Sequence, residues 1–385
     1  MKVKIPAVVW LLSFVSLLND IASEMLYPVL PIFITQILGA PVFVVGIIEG
    51  IAEGSASLFK TFFGFWSDEL QRRKPFVVGG YSASAVAKII IALSFTWPLV
   101  LVGRIIDRMG KGARDSARDA LLLEATDETN KGFIFGFHRA MDTTGAVIGP
   151  AIALVLLFLF HNNIRLVLYI AVIPTFLSLI LFIWVKEARH KLQTAKIKLS
   201  LSIQNFPPQL KMFLFGLCVF SLGNSSDTFL ILRAKNLGLS LALVISAYIL
   251  YNIVYALSSI PAGAISDRIG TKKVFIAGIV IFTLCYLGFA LDKSGIFVWP
   301  LFAVYGFYIG LTDGVSKAMV GALVGEEHSG TAYGVLYTIT SGFTLLASVI
   351  GGFLWSLVAP SATFYFAVIC AAISIPIFLL VKPKA

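Results

Sequence analysis

Roughly twelve apolar runs of about 20 to 30 residues follow one another along this chain, each long enough to cross a bilayer as a tilted helix. Inside lipid a backbone must satisfy its own N–H and C=O groups, which makes helices the spanning element for runs of this length. The runs fall at 6–37, 42–66, 75–95, 97–124, 131–160 and 164–185, then at 209–235, 240–265, 273–291, 296–324, 328–357 and 360–381. With 58% of residues apolar and 13% charged, the chain has too little polar surface to solvate a water-soluble fold of this size.

The charges say how the runs are oriented. The net charge is +10, and the loop cations gather in a few short turns, which fits orientation by the positive-inside rule rather than nucleic-acid binding. Residues 186–208 form the one long polar segment, carrying Lys186, Arg189, Lys191, Lys196 and Lys198 and closing on Pro207-Pro208. They separate a first half, 1–185, from a second, 209–385. Lys2, Lys4, Lys382 and Lys384 place both termini with this linker on the cytoplasmic side, in the inner membrane of a bacterial-type cell. Only Arg165, Lys235 and Lys293 fall near the opposite turns. The first run passes through Asn19, Asp20 and Glu24 with no small-residue cleavage site, and is expected to be a retained span. Cys218, Cys285 and Cys370 have no paired spacing and suggest neither disulfides nor a metal site.

The two halves repeat one another. Gly64-Phe65-Trp66-Ser67-Asp68, followed by Arg72, Arg73 and Lys74, has its counterpart about 200 residues on, in Gly263 to Asp267 followed by Arg268, Ile269, Gly270, Lys272 and Lys273. Gly132-Phe133-Ile134-Phe135-Gly136 corresponds to Gly330-Thr331-Ala332-Tyr333-Gly334, and Asn19 to Asn224. Repeated hydrophobic halves are a mark of secondary transporters. The predicted fold class is therefore an all-α integral membrane protein, with twelve transmembrane helices in two pseudo-symmetric six-helix bundles.

These motifs resemble the major facilitator superfamily over nearly the whole chain. In that family the loop after the second span reads Gly-x-x-x-Asp-Arg-x-Gly-Arg-Arg. The Gly263 copy matches it closely, whereas the Gly64 copy has Glu69 and Gln71 where arginine and glycine are usual. The resemblance implies a gate at the cytoplasmic end built from Asp68, Arg72, Arg73, Asp267 and Arg268, with Asp68 beside the start of the eleventh span near Ser329 and Gly330. Gly145-Ala146-Val147-Ile148-Gly149-Pro150 is similar to a motif found especially in the family's antiporters and drug exporters, though Ala153-Leu154 stands where a Gly-Gly pair is usual. Gly149 and Pro150 read physically as a close-packed, bendable part of the fifth span. The family's coupling arginine in the fourth span has its nearest match in Arg104.

That fourth span holds most of the chemistry. Arg104, Asp107, Arg108, Lys111, Arg114, Asp115, Arg118 and Asp119 fall within an arc of roughly 140° at about 100° per residue. A charge at the bilayer centre costs at least about 2.5–3.5 kcal/mol, so this face must look into protein or a water-filled path. Pairs at helical spacing neutralise part of it, yet five cations face three acids. Asp20, Glu24, Glu49, Glu53 and Asp142 are acids at matching depth, with Asp142 expected near Arg114 and His138 near Arg118. Arg104, Arg108 and Lys111 are the candidates for holding a substrate's negative end, and Asp20, Glu24, Asp142 and His138 for carrying a coupling proton.

The second half is quieter. Asp227 and Arg233 lie on the seventh span, and Asp313 and Lys317 at i and i+4 on the tenth read as a structural ion pair. Tyr248, Tyr251 and Tyr255 form a stripe on the eighth span. Tyr248 and Tyr251, with Asn252, are candidate cavity residues suited to an amphipathic solute. There is no phosphate-cradling loop, zinc-ligand spacing or partnered nucleophile, which leaves no cofactor, no metal and no enzyme to propose. The sequence thus predicts a monomeric secondary transporter amid membrane lipids, moving a small organic anion or amphipathic solute by alternating access, with proton-coupled export. Proton-coupled import of an anionic metabolite or siderophore chelate is the alternative. A non-transporting receptor or lipid scramblase is the reading from another class.

Overall fold

The protein was analysed as a computed structural model, which describes residues 5–70, 73–124, 131–184, 206–324 and 329–382. The helices are α1 (Ala7–Leu26), α2 (Leu30–Ile32), α3 (Val42–Glu69), α4 (Lys74–Leu93), α5 (Trp97–Glu124), α6 (Lys131–Leu159), α7 (Ile164–Ile170) and α8 (Val172–Phe182). Beyond the linker come α9 (Pro208–Gly223), α10 (Thr228–Asn236), α11 (Leu241–Ile269), α12 (Thr271–Leu291), α13 (Val298–Val324), α14 (Ser329–Leu357) and α15 (Pro360–Leu380). Among the described residues, eleven helical segments are long and apolar enough to cross a membrane. The 28 residues of α5 supply the length of a twelfth, and its charges are what keep it out of the apolar set. The all-helical membrane fold read from the sequence is the one observed. Phe158, 84% exposed, and Ile260, 83% exposed, show the apolar outer surface that lipid requires.

Three of the expected spans are broken. Pro28 and Pro31 remove backbone donors after Leu26, and the first span continues through α2 into a π-helical turn at Phe33–Ile37. The seventh span, read from the sequence as continuous over 209–235, is two helices. Gly223 to Asp227 has poor helix formers at its centre, and the backbone is held there instead by outside groups, Ser226 N–H donating to Ser348 Oγ at 3.0 Å. The sixth span likewise runs as α7 and α8 with a turn at Ala171.

The chain divides into two compact units: Met1–Ala40 with Ser55–Lys196, and Pro41–Gly54 with Ile197–Ala385. In the first, α1 packs on α6 and α8, and α4 on α5. Val9, Leu12, Val15, Val77, Tyr81, Leu122 and Phe182 make its buried core. In the second, α11 packs on α13, α12 on α13 and α15, and α9 on α14 and α15. There the first half of α3 lies against α14 along Gly46, Gly50 and Gly54, and a Cβ on Gly352 would come within 2.9 Å of the Phe43 Cα. The glycine spacing of four on α3 is the small-residue pattern that lets helices approach closely in lipid.

The tightest approach inside the first unit is α4 to α5. A Cβ on Gly110 would stand 2.5 Å from the Gly80 carbonyl oxygen, and one on Gly80 2.5 Å from the Gly110 carbonyl oxygen. Gly110→Val should therefore force the pair apart and destabilise the detergent-purified protein by about 1–3 kcal/mol, the usual cost of overpacking. Gly79→Val, at a position with open space, is the control. Equal melting temperatures for the two variants would show that the α4–α5 contact does not limit stability.

Candidate functional site

The charged face of α5 is buried, as the cost of a charge in lipid demands: Arg104, Asp107, Arg108, Arg114 and Arg118 are all inside the unit, whereas Lys111 is exposed. Arg114 is its most connected member. Its Nη1 donates to Ser84 Oγ at 2.8 Å, its guanidinium lies 4.9 Å from the centre of the Tyr81 ring, and its Nε is 3.5 Å from Asp115 Oδ1. With its amide oriented to accept, the Asn19 side-chain oxygen is 2.8 Å from Arg114 Nη2 and 3.0 Å from Nη1. One arginine thus ties α5 to α4 and α1 through hydrogen bonds to a charged group, each worth about 1.5–3 kcal/mol. Arg118 bonds Ser16 Oγ at 2.9 Å and Asp119 Oδ1 at 2.9 Å, and lies 3.6 Å from Asp115.

Asp107 has a partner that sequence reading missed. Lys88 of α4 is 2% exposed and its Nζ lies 3.5 Å from Asp107 Oδ1. This lysine stands alone in the apolar run Ala85 to Leu93, and that isolation was the signal that could have found it. Between Lys88 and Asp119 on the α4–α5 pair, the six cations Lys88, Arg104, Arg108, Lys111, Arg114 and Arg118 thus outnumber Asp107, Asp115 and Asp119.

The balance comes from the seam of α1 and α6. Gly145 and Gly149 bring α6 onto α1 at Asp20 and Glu24: a Cβ on Gly149 would meet the Glu24 Cβ at 2.8 Å, and one on Gly145 the Asp20 Cβ at 3.0 Å. Pro150 follows inside the unbroken helix. Asp20 sits in the field of Arg114, Lys111 and Arg118 and of Asp142. His138 is buried, with Nδ1 3.1 Å from Ser13 Oγ and Nε2 3.6 Å from Asp142 Oδ2. Arg118 is close enough to act on it through space, as their depths along the chain suggest. Asp20, Asp142 and His138, three of the four predicted coupling residues, thus lie within electrostatic reach of the arginines. The side-chain contact given for Asp142 is with His138, one turn away, and Asp20 feels both Asp142 and Arg114.

Glu49 and Glu53 belong to the second unit, and Glu53 acts electrostatically on Asp227. Asp227, at the break before α10, receives Tyr251 Oη–H on Oδ2 at 3.1 Å and Tyr305 Oη–H on Oδ1 at 2.5 Å. Tyr248 and Tyr251 lie 5.5 Å apart between ring centres, and Asn252 is buried, its Nδ2 donating to the Tyr248 carbonyl at 3.1 Å. One turn on, Tyr255 donates to Asp313 Oδ2 at 3.0 Å and Lys317 to Asp313 Oδ1 at 2.9 Å, the ion pair expected from the sequence. Arg233 is a structural clamp, donating to the carbonyls of Phe289 and Asp292. Among the described residues no group of three or more His, Cys, Asp or Glu could hold a metal ion.

Of the expected gate, Arg73 donates to Ser67 Oγ at 2.9 Å, and Asp267 and Arg268 are exposed at the end of α11. Arg72 and the side chain of Asp68 lie outside the described residues, as do linker positions Lys186, Arg189, Lys191, Lys196 and Lys198.

Comparison with known proteins places this arrangement. Residues 12–233 and 212–385 match the family model described as Major Facilitator Superfamily. The chain is 37% identical over 373 residues to the uncharacterized MFS-type transporter MJ1317 of Methanocaldococcus jannaschii, covering 95% of this chain and 92% of that one. It is 24% identical to the class D tetracycline resistance protein of Salmonella ordonez, covering 93% and 91%. The crystal structure of the nucleoside transporter NupG superposes with a TM-score of 0.79 at 14% identity, covering 97% of this chain and 98% of that one.

Removing Lys88 should take from Asp107 its ion-pair partner at 3.5 Å, while Arg108, Arg114 and Arg104 still act on it through space. Lys88→Met is expected to lower stability by about 3–5 kcal/mol, with most of the loss recovered in Lys88→Met/Asp107→Asn. Thermal unfolding in detergent checks the cycle, and strict additivity of the two changes would show that the pair is not coupled.

Proposed function

Because the chain belongs to the major facilitator superfamily and is a multi-pass membrane transporter rather than an enzyme, we propose that it is a proton-coupled secondary transporter of a small organic solute with an anionic end, working by alternating access as an exporter. The observation that carries this reading is the buried arginine face of α5, where the α4–α5 cations outnumber their acids. Preorganised guanidinium groups in a site of low dielectric favour an anion far more than water-exposed ones do. Arg104, Arg108 and Lys111 hold the negative end. In the second unit, Tyr248, Tyr251 and Asn252 are the substrate-binding candidates, an aromatic surface suited to an amphipathic solute. Asp20, Glu24, Asp142 and His138 are the proton-carrying set, supported for Asp20 by the field of Arg114, Lys111 and Arg118 and for His138 and Asp142 by that of Arg118.

Export is supported by Gly149-Pro150, packed on the turn that carries Glu24. The same electrostatics favours a second reading, import: a proton on an acid beside the arginines strengthens anion binding, so anion and proton travel together. In either direction, Asp68, Arg72 and Arg73, with Asp267 and Arg268, form the cytoplasmic gate of a monomer whose termini both lie inside the cell.

A thermal-shift screen of organic anions, 3-phenylpropionate among them, tests the charge reading on the purified full chain, because ligands of the native state raise its apparent stability. Anions that stabilise the wild type should bind about tenfold or more weakly to Arg108→Gln, the loss of roughly one charge-assisted bond. Lys293→Gln, an exposed cation in the turn after α12, serves as the control. Anion shifts unchanged by Arg108→Gln would remove the arginine face from the site. In proteoliposomes, Asp20→Asn, Glu24→Gln or Asp142→Asn should abolish pH-driven transport while sparing exchange of solute for solute. Full pH-gradient dependence in all three would place coupling elsewhere.

A further inference from the structure

The break in the seventh span holds a carboxylate with no cation to match it. Asp227 accepts from the hydroxyls of Tyr251 and Tyr305, and the charged group that acts on it, Glu53, is another anion. Asp107 and Asp115, by contrast, have cationic company, Lys88 for the first and Arg114 and Arg118 for the second. The rings around Asp227 are ordered and close: Tyr251 to Tyr305 is 5.3 Å between centres, Tyr248 to Tyr251 is 5.5 Å and Tyr305 to Tyr308 is 5.4 Å. In the same break, Asn224 Oδ1 and Ser225 Oγ are buried without a hydrogen-bond partner. Asp227 itself is only half-buried, which leaves it open to a ligand.

We propose that Asp227, Tyr251 and Tyr305 form a binding subsite for a protonated amine within the second unit. This deepens the reading above and rests on it. A carboxylate offers about four lone-pair sites, of which two are taken by the tyrosines, and each tyrosine oxygen keeps acceptor capacity of its own. An ammonium group brings three N–H donors and no acceptor, which suits an environment made of acceptors. Tyrosine faces add the attraction of the ring quadrupole for a cation. The broken helix serves the site directly, since an unwound segment in a membrane is tolerated where other groups satisfy its backbone, and it presents Asn224 to Asp227 as side chains rather than as part of a helical wall.

The test uses the purified full chain with phenethylamine and n-hexylamine hydrochlorides, sodium chloride at matched ionic strength, and 3-phenylpropionate. Both amines should raise the apparent melting temperature saturably in the wild type, with affinity reduced about tenfold or more in Asp227→Asn and by a smaller factor in Tyr305→Phe. Should Asp227→Asn fail to fold, Tyr305→Phe and Tyr251→Phe carry the comparison. No saturable shift with either amine, equal affinities in wild type and variants, or a shift that sodium chloride reproduces would each overturn the proposal. Amine failure beside an Arg108-dependent shift with the anion would sink this subsite alone. Amine binding that needs Asp227, beside anion shifts indifferent to Arg108, would instead sink the arginine reading.

Discussion

The burial of Arg114 is the interaction on which the rest of the first unit depends. A guanidinium cannot be left in hydrocarbon, so every element it touches has to approach within bonding distance and bring a polar group with it. Ser84 on α4, Asn19 on α1 and the Tyr81 ring meet that demand. Gly80 and Gly110 are the consequence, since side chains there would hold α4 off α5 and leave the arginine short of Ser84. Lys88 and Asp107 repeat the logic along the same helix pair, one buried charge balancing the other. The glycines that look like packing residues are thus part of the electrostatics.

The second unit answers a different constraint. It carries less charge in its interior and more aromatic surface, with Phe213, Phe275 and Phe378 clustered at one end and Tyr251, Tyr305, Tyr308, Tyr286 and Phe282 linked ring to ring at the other. Its one interruption, between α9 and α10, costs helical hydrogen bonds that Ser348 and Ser226 partly replace. A break of that kind persists only where the surroundings hold it, which is why it is a better pointer to function than any of the smooth helices around it.

What the sequence made legible follows from the physics of each signal. Run length and the lipid's demand for internal hydrogen bonding are local properties, and the twelve-span reading was accordingly sound. The α5 face was legible for the same reason: helical periodicity is one-dimensional, and lipid leaves a charged arc only one way to point. The break at Gly223 to Asp227 was hidden because the residues around it are apolar enough to pass as continuous helix, and it is a tertiary partner, Ser348, that stabilises the unwound backbone. Lys88 was overlooked although a lone lysine in an apolar run is a strong signal. Partner choice was the least legible. Asp142 stands beside His138, which the i to i+4 spacing allows but does not dictate against a distant arginine of similar depth.

The two faces differ in how they would tie solute movement to protons, and the difference bears on direction. Beside the α5 arginines, proton and anion bind in mutual support, because neutralising an acid such as Asp20 strengthens the positive field. That linkage by itself makes a symporter. At Asp227 the linkage has the opposite sign: a proton and an ammonium group are both cations seeking one carboxylate, and each excludes the other. Mutual exclusion at a shared carboxylate is the physical basis of exchange, in which entry of a proton releases the solute. A solute that met the arginines alone would therefore couple by symport, and one that met Asp227 alone by exchange. The hydroxyls of Tyr251 and Tyr305 donate to Asp227 and so suit its charged form, the one an ammonium group needs.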